Sequence, residues 1–206
     1  MSERPLRDLD ASEVEAYRRD CVVCARAVMP ARWLERMAGA IERTIKAPTP
    51  IGVLISLPEK GFTNDIFLWL GDDDYRAYVL ESPASQLAQQ VLGSRSVSFC
   101  YDPVTRATGG LEYVLASQRW IKRFKAITPD YKAYMLASDL EDPPEVDAQR
   151  ADYDLMSWDM EPGDVLIFHP LVLHGSSGNT SLVQRRRALA VGDRSQRPLF
   201  PELIRA

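Results

Sequence analysis

The chain has 206 residues, 46% of them apolar and 26% charged, with a net charge of −4 and a pI near 5.3. That length suits one domain with a sizeable core, so residues 1–206 are expected to fold as a single unit. The acidic balance excludes a global attraction to nucleic acid or anionic membrane. No apolar run approaches the roughly 18 residues that cross a bilayer, and the polar start MSERPLRDLDASE lacks a secretion signal's apolar stretch. Three cysteines, an odd number, argue against a disulfide framework and for a reducing compartment, so the expected location is cytoplasmic.

In chain order, SEVEAYRRD opens with Ser12 and Glu15 spaced as a capping box, which predicts a short helix. CVVCARAVM reads as a short strand. Pro30 suits the first turn of a helix over ARWLERMAGAIERTIK, whose Trp33, Leu34, Met37, Ile41 and Ile45 fall at helical spacing. APTPIGVLISLPEKGFTND, broken by prolines and glycines, reads as loop with a brief strand. DDDYRAYVLESPASQLAQQVLG reads as two short helices split at Ser82-Pro83 and closed by Gly93.

From Arg95 the pattern turns to β. SRSVSFCYD alternates, with Val97, Phe99 and Tyr101 on one face. GGLEYVLAS (109–117) is a second strand. The charged, proline-punctuated stretch after Arg119 is a surface excursion, and DLMSWDM, EPGD and VLIFHPLVLHG read as strand, turn and strand. RRRALAV is one more strand before a loop tail. Helices first and strands after predict an α+β fold, with a helical layer over 1–94 and a β part over 95–206.

Cys21 and Cys24 have redox spacing, but the flanks read as strand, so thiols three apart point to opposite faces. Both are expected to be plain buried residues. The only two histidines, His169 and His174, both fall in GDVLIFHPLVLHGSSGN. His174 opens a Gly/Ser/Asn turn, a good place for a metal ligand because the strand fixes the ring and small residues leave room above it. The alternative is a buried strand that happens to carry two imidazoles. His169 lies an odd separation away, so on a regular strand it faces the other side, and a structural or supporting role is expected for it. Arg185 lies eleven residues past His174. It either points at the same cavity, where a guanidinium holds a carboxylate bidentately, or is a surface arginine.

TGGLEYVLASQRW, MEPGDVLIFHPLVLHGSSGN and RRRALAV, in this order, resemble the phytanoyl-CoA dioxygenase-like group of iron(II)/2-oxoglutarate oxygenases. The opening ASEVEAYRRDCVVCARAVMPARWLERM is similar to that family's first helix, strand and helix. The resemblance implies a double-stranded β-helix, a cupin-like jelly roll, with the N-terminal helices packed on one side. It also implies Fe(II) in a 2-His-1-carboxylate site with open positions for 2-oxoglutarate and oxygen. The implied activity is a dioxygenase that hydroxylates or oxidises a C–H bond of a small organic substrate. On that pattern His174 matches the distal metal ligand. Arg185 matches the arginine that grips 2-oxoglutarate, Arg187 is the fallback, and Gly109, Gly110 and Ser117 match the framework. Substrate contacts are expected from the loop after Lys46 and the excursion after Trp120.

The chain departs from the family at one place. The family's His-x-Asp motif, upstream of the glycine pair, cannot be written anywhere in this sequence. VSFCYD and DPVTRATGG, which resemble the segments flanking it, meet near Asp102-Pro103. Two readings follow: an oxygenase whose motif segment is missing from this sequence, or a shortened, catalytically inactive jelly-roll binding protein.

Overall fold

The computed structural model describes residues 3–91, 96–120, 122, 124 and 141–192. The first helix, α1 (Ala11–Asp20), does carry a capping box, but on Asp10 and Glu13 rather than Ser12 and Glu15. The Asp10 carboxylate accepts the Glu13 N–H at 2.9 Å and the Glu13 carboxylate accepts the Asp10 N–H at 2.9 Å, while Ser12 donates its hydroxyl to Asp10. Aspartate outcompetes serine here because an ionised acceptor also favours the positive end of the helix. After β1 (Val22–Ala25) comes α2 (Ala31–Lys46), with Pro30 just before its first turn and Trp33, Met37 and Ala40 buried; Ile45 is exposed.

The stretch expected as loop with a brief strand contains α3 (Pro50–Ile55). Thr49 Oγ accepts the Gly52 N–H at 3.1 Å and Pro50 occupies the first turn, a start signal sufficient to nucleate a helix despite the prolines. Helices α4 (Asp73–Glu81) and α5 (Ala84–Gln90) divide at Ser82-Pro83 as expected. The expected stop at Gly93 lies outside the described residues.

The β part comprises β2 (Ser96–Cys100), β3 (Glu112–Val114), β4 (Leu155–Ser157), β5 (Val165–Phe168), β6 (His174–Gly175) and β7 (Ala188–Gly192). They form two antiparallel sheets, one in the order β1-β5-β2-β7 and one in the order β4-β3-β6. The run Val165–Gly175 is therefore two strands in different sheets and not one. The chain leaves the larger sheet at His169-Pro170, where proline cannot continue a ladder, and enters the smaller one at His174.

Alternation along the larger sheet sorts its side chains into two cores. The odd positions Val97, Phe99, Tyr101, Val165 and Ile167 pack on the helices together with Trp33, Met37 and Tyr78. Tyr78 meets Trp33 and Phe99 edge-on, at 5.8 and 5.3 Å between centroids, and ties that layer together. The even positions Val22, Cys24, Cys100, Leu166 and Phe168 turn instead toward Tyr113, Val104, Met160 and Val172 on the side of the smaller sheet. Helices on one face of a two-sheet sandwich make this an α+β jelly roll. The interior between the sheets is where any site must lie.

Candidate functional site

His174 is held at the mouth of that interior by its neighbours in sequence and across the sheet. Buried Ser117 accepts the Leu173 N–H at 2.8 Å and donates to the Val114 carbonyl at 2.7 Å, fixing the turn that delivers β6. His174 pairs with Tyr113, so the two rings share the inward face. Its imidazole lies 5.5 Å from the Tyr113 ring and 5.1 Å from the Phe168 ring. Nδ1 sits 2.8 Å from the Val172 carbonyl, which can only accept, so in the neutral ring Nδ1 carries the proton and Nε2 keeps its lone pair. That is the tautomer a metal ligand needs.

Beyond β6 the chain is pinned by Ser176 donating to the Gly109 carbonyl at 2.9 Å and by the Thr180 N–H on the Ala107 carbonyl at 2.9 Å. Gly109 has φ +85, and a Cβ there would lie 3.0 Å from the Gly178 backbone carbon. Both the handedness and the approach require glycine. Gly109→Ala is expected to cost about 1–3 kcal/mol, read as a lower urea midpoint at unchanged slope.

His169 is engaged just beyond the end of β5. The alternation of β5 assigns it to the helix-facing set, its N–H donates to the Cys21 carbonyl at 2.9 Å, and its Nδ1 accepts the Leu171 N–H at 3.2 Å. It organises the turn between the sheets.

The arginines require a correction. Leu189 and Val191 of β7 face the helices, so the preceding odd positions do too. Arg185 and Arg187 accordingly reach Glu42 of α2, at 2.8 and 3.1 Å. Arg187 also grips Asp102 with two side-chain nitrogens, at 3.0 and 2.7 Å, and with its backbone N–H at 2.8 Å. Both guanidiniums are thus paired with acids, Arg185 with Glu42 and Arg187 with Glu42 and Asp102.

Arg186, which the sequence reading passed over, points the other way. Its Nε is buried with no partner among the described residues, and Tyr113 and Cys100 of the interior are its electrostatic neighbours. Burial pulls its pKa below the ordinary value. The Tyr113 hydroxyl, in a residue 0% exposed, is likewise buried without a partner, and burial pushes its pKa up so that it remains a neutral donor. His174 and Gly175 are solvent-exposed, as are Ala188 and Ala190 on the inward positions of β7. The interior is therefore open at the end that holds Arg186.

This is a jelly roll in which, among the described residues, a buried guanidinium nitrogen of Arg186 and the buried Tyr113 hydroxyl have no hydrogen-bond partner. The phytanoyl-CoA dioxygenase family model matches residues 73–188, more than half of the chain. The chain belongs to that family. The non-heme alpha ketoglutarate dependent carbocyclase SnoK from nogalamycin biosynthesis superposes with a TM-score of 0.66 at 15% identity, covering 89% of this chain and 83% of its own. The epimerase SnoN of the same biosynthesis gives 0.64 at 15%, covering 87% and 81%. EctD from S. alaskensis, with 2-oxoglutarate and 5-hydroxyectoine, gives 0.65 at 16%, covering 94% and 80%. No curated protein matches the sequence.

Such neighbours raise the question of iron. Facial coordination needs three protein ligands. Among the described residues no three His, Cys, Asp or Glu side chains are grouped to hold a metal ion, and the sequence contains no third histidine. Cys24 and Cys100, free thiols whose pKa burial pushes up to about 12, stay protonated and are poor ligands. His174 can offer one nitrogen. The donors that the described residues offer do not fit the three-ligand iron site of the family.

Proposed function

We propose that this protein binds a small organic carboxylate between its two sheets, with Arg186 as the cation and the Tyr113 hydroxyl as a second donor. The single observation that carries this is the largely buried guanidinium with no acid beside it. A buried cation without a counter-ion is costly, and a carboxylate ligand removes that cost while accepting two strong hydrogen bonds. The acid that family membership implies is 2-oxoglutarate. Arg186 takes the role the sequence reading gave to Arg185 or Arg187.

The test is binding of simple carboxylates, 2-oxoglutarate included, followed by thermal shift. A ligand at a hundred times its Kd should stabilise the fold by about 2.7 kcal/mol. Arg185→Ala should keep the shift and Arg186→Met should lose it. Equal loss in both would count against the assignment.

A second reading is the iron(II)- and 2-oxoglutarate-dependent dioxygenase acting on a C–H bond of a small substrate with molecular oxygen. The tautomer of His174, with Nε2 free, favours it. Its remaining ligands would have to come from residues this sequence does not contain. In that case an intact mass above 23.2 kDa and iron-dependent succinate formation, abolished by His174→Ala, are expected. A cytoplasmic location fits the three free cysteines.

A further inference from the structure

We infer that the pocket takes its ligand without any metal ion, and that the ligand is a monocarboxylate with an apolar or aromatic body and not a diacid. This rests on the carboxylate-binding reading above and narrows it.

The charge pattern of the interior carries the argument. The two acidic groups described near the ends of the large sheet's inner strands, Asp164 and Asp102, already have partners. Asp164, at the far end of β5, accepts from Arg26 at 2.7 Å and from the Ala27 and Glu161 N–H groups at 2.9 and 3.0 Å. Asp102 is matched to Arg187 at 2.7 Å. Arg186 is thus the one unmatched interior charge among the described residues, and a single carboxylate neutralises it. A second carboxylate finds no further unmatched cation among the described residues.

The walls give the rest of the ligand its chemistry. Val22, Leu166, Phe168 and Val172 are buried on this side, and Trp158 packs against the same cluster, 6.1 Å from the Tyr113 ring. Ser98, a buried polar residue on an even position of β2, is small and neutral. An apolar body gains from burial here, at about 25 cal/mol per Å², whereas a second ionised group would be desolvated without compensation. In an iron site the far end of a keto-diacid is held by the metal. With one imidazole and no companion ligand, that anchor is lacking, so the diacid loses the advantage its second acid group would otherwise give it.

The experiment is isothermal titration calorimetry of the whole protein, dialysed against EDTA, with phenylacetate, hexanoate and 2-oxoglutarate, repeated with Mn(II) as a redox-silent stand-in for iron. The expected result is that a monocarboxylate binds at least tenfold more tightly than 2-oxoglutarate, with the same Kd whether or not Mn(II) is present. Arg186→Met should abolish binding and Tyr113→Phe should weaken it several-fold. Metal-free binding of 2-oxoglutarate tighter than either monocarboxylate overturns the inference but leaves carboxylate binding intact. Binding of any acid only with Mn(II) does the same. If no acid binds under either condition, or Arg186→Met binds like the parent, the carboxylate-binding reading fails as well.

Discussion

Arg186→Met is expected to raise the melting temperature of the free protein while removing its affinity for carboxylates. A guanidinium does not give up its proton in a protein, so burial cannot be relieved by neutralisation and remains a standing cost of the unliganded fold. Methionine keeps much of the apolar stem and removes the charge and its orphaned Nε. Partial exposure of the group keeps the gain modest, about 1–2 kcal/mol. For a chain of this size that is about 2–8 °C. Scanning calorimetry of both proteins without ligand, and again with a saturating carboxylate, checks the sign. The free variant should melt above the parent, and the order should reverse once ligand is added. A free variant that melts lower would mean Arg186 already has a partner in the fold, and the pocket would lose its main support.

That residue shows where sequence reading reached its limit. Alternation by itself puts Arg185 and Arg187 on one face and Arg186 on the other. What it could not supply was which face turns inward. That depends on the register of β7 against β2, Phe99 opposite Leu189 and Val97 opposite Val191, and a slip of one residue exchanges the two sets. Leu189 and Val191 were the available signal. Counted back from these apolar odd positions, Arg186 falls on the opposite face. The second limit was VLIFHPLVLHG, where continuous apolar character hid a change of sheet, although Pro170 marked it. The third was α3, whose Thr49-Pro50 start was outweighed by later prolines and glycines. The capping box of α1 was found in kind and missed by two residues, because serine and aspartate compete for the same role. The helix pair split at Ser82-Pro83, the alternation of β2 and the family were legible, since each rests on local pattern or on long matching segments. The position of His174 could be read for the same reason. Its role as a ligand depends on distant residues, which local pattern does not reach.

Arg187→Ala should do the reverse of Arg186→Met and destabilise the fold strongly. The Arg187 and Asp102 side chains are each only 14% exposed, so their pair is partly shielded from water, and removing one partner leaves the other charge poorly compensated. The expected cost at pH 7 is about 3 kcal/mol. Arg185→Ala makes a useful contrast, because its side chain is 61% exposed and should cost less than about 1 kcal/mol. Burial alone would push the Asp102 carboxyl up, but the hydrogen bonds and charge of Arg187 outweigh it and hold the group below its ordinary value. A depressed folded-state pKa stabilises at pH above the unfolded value, about 3.9, and that contribution drains away as pH falls through the folded value. In Arg187→Ala the carboxyl keeps its burial and loses its partner, so its pKa rises and it protonates earlier. The gap between parent and variant should therefore be widest near neutrality and should close below about pH 4. Urea unfolding of both proteins at pH 7 and pH 3.5 measures it. A gap of equal size at both pH values would trace the loss to packing of the arginine stem instead of its pairing with Asp102.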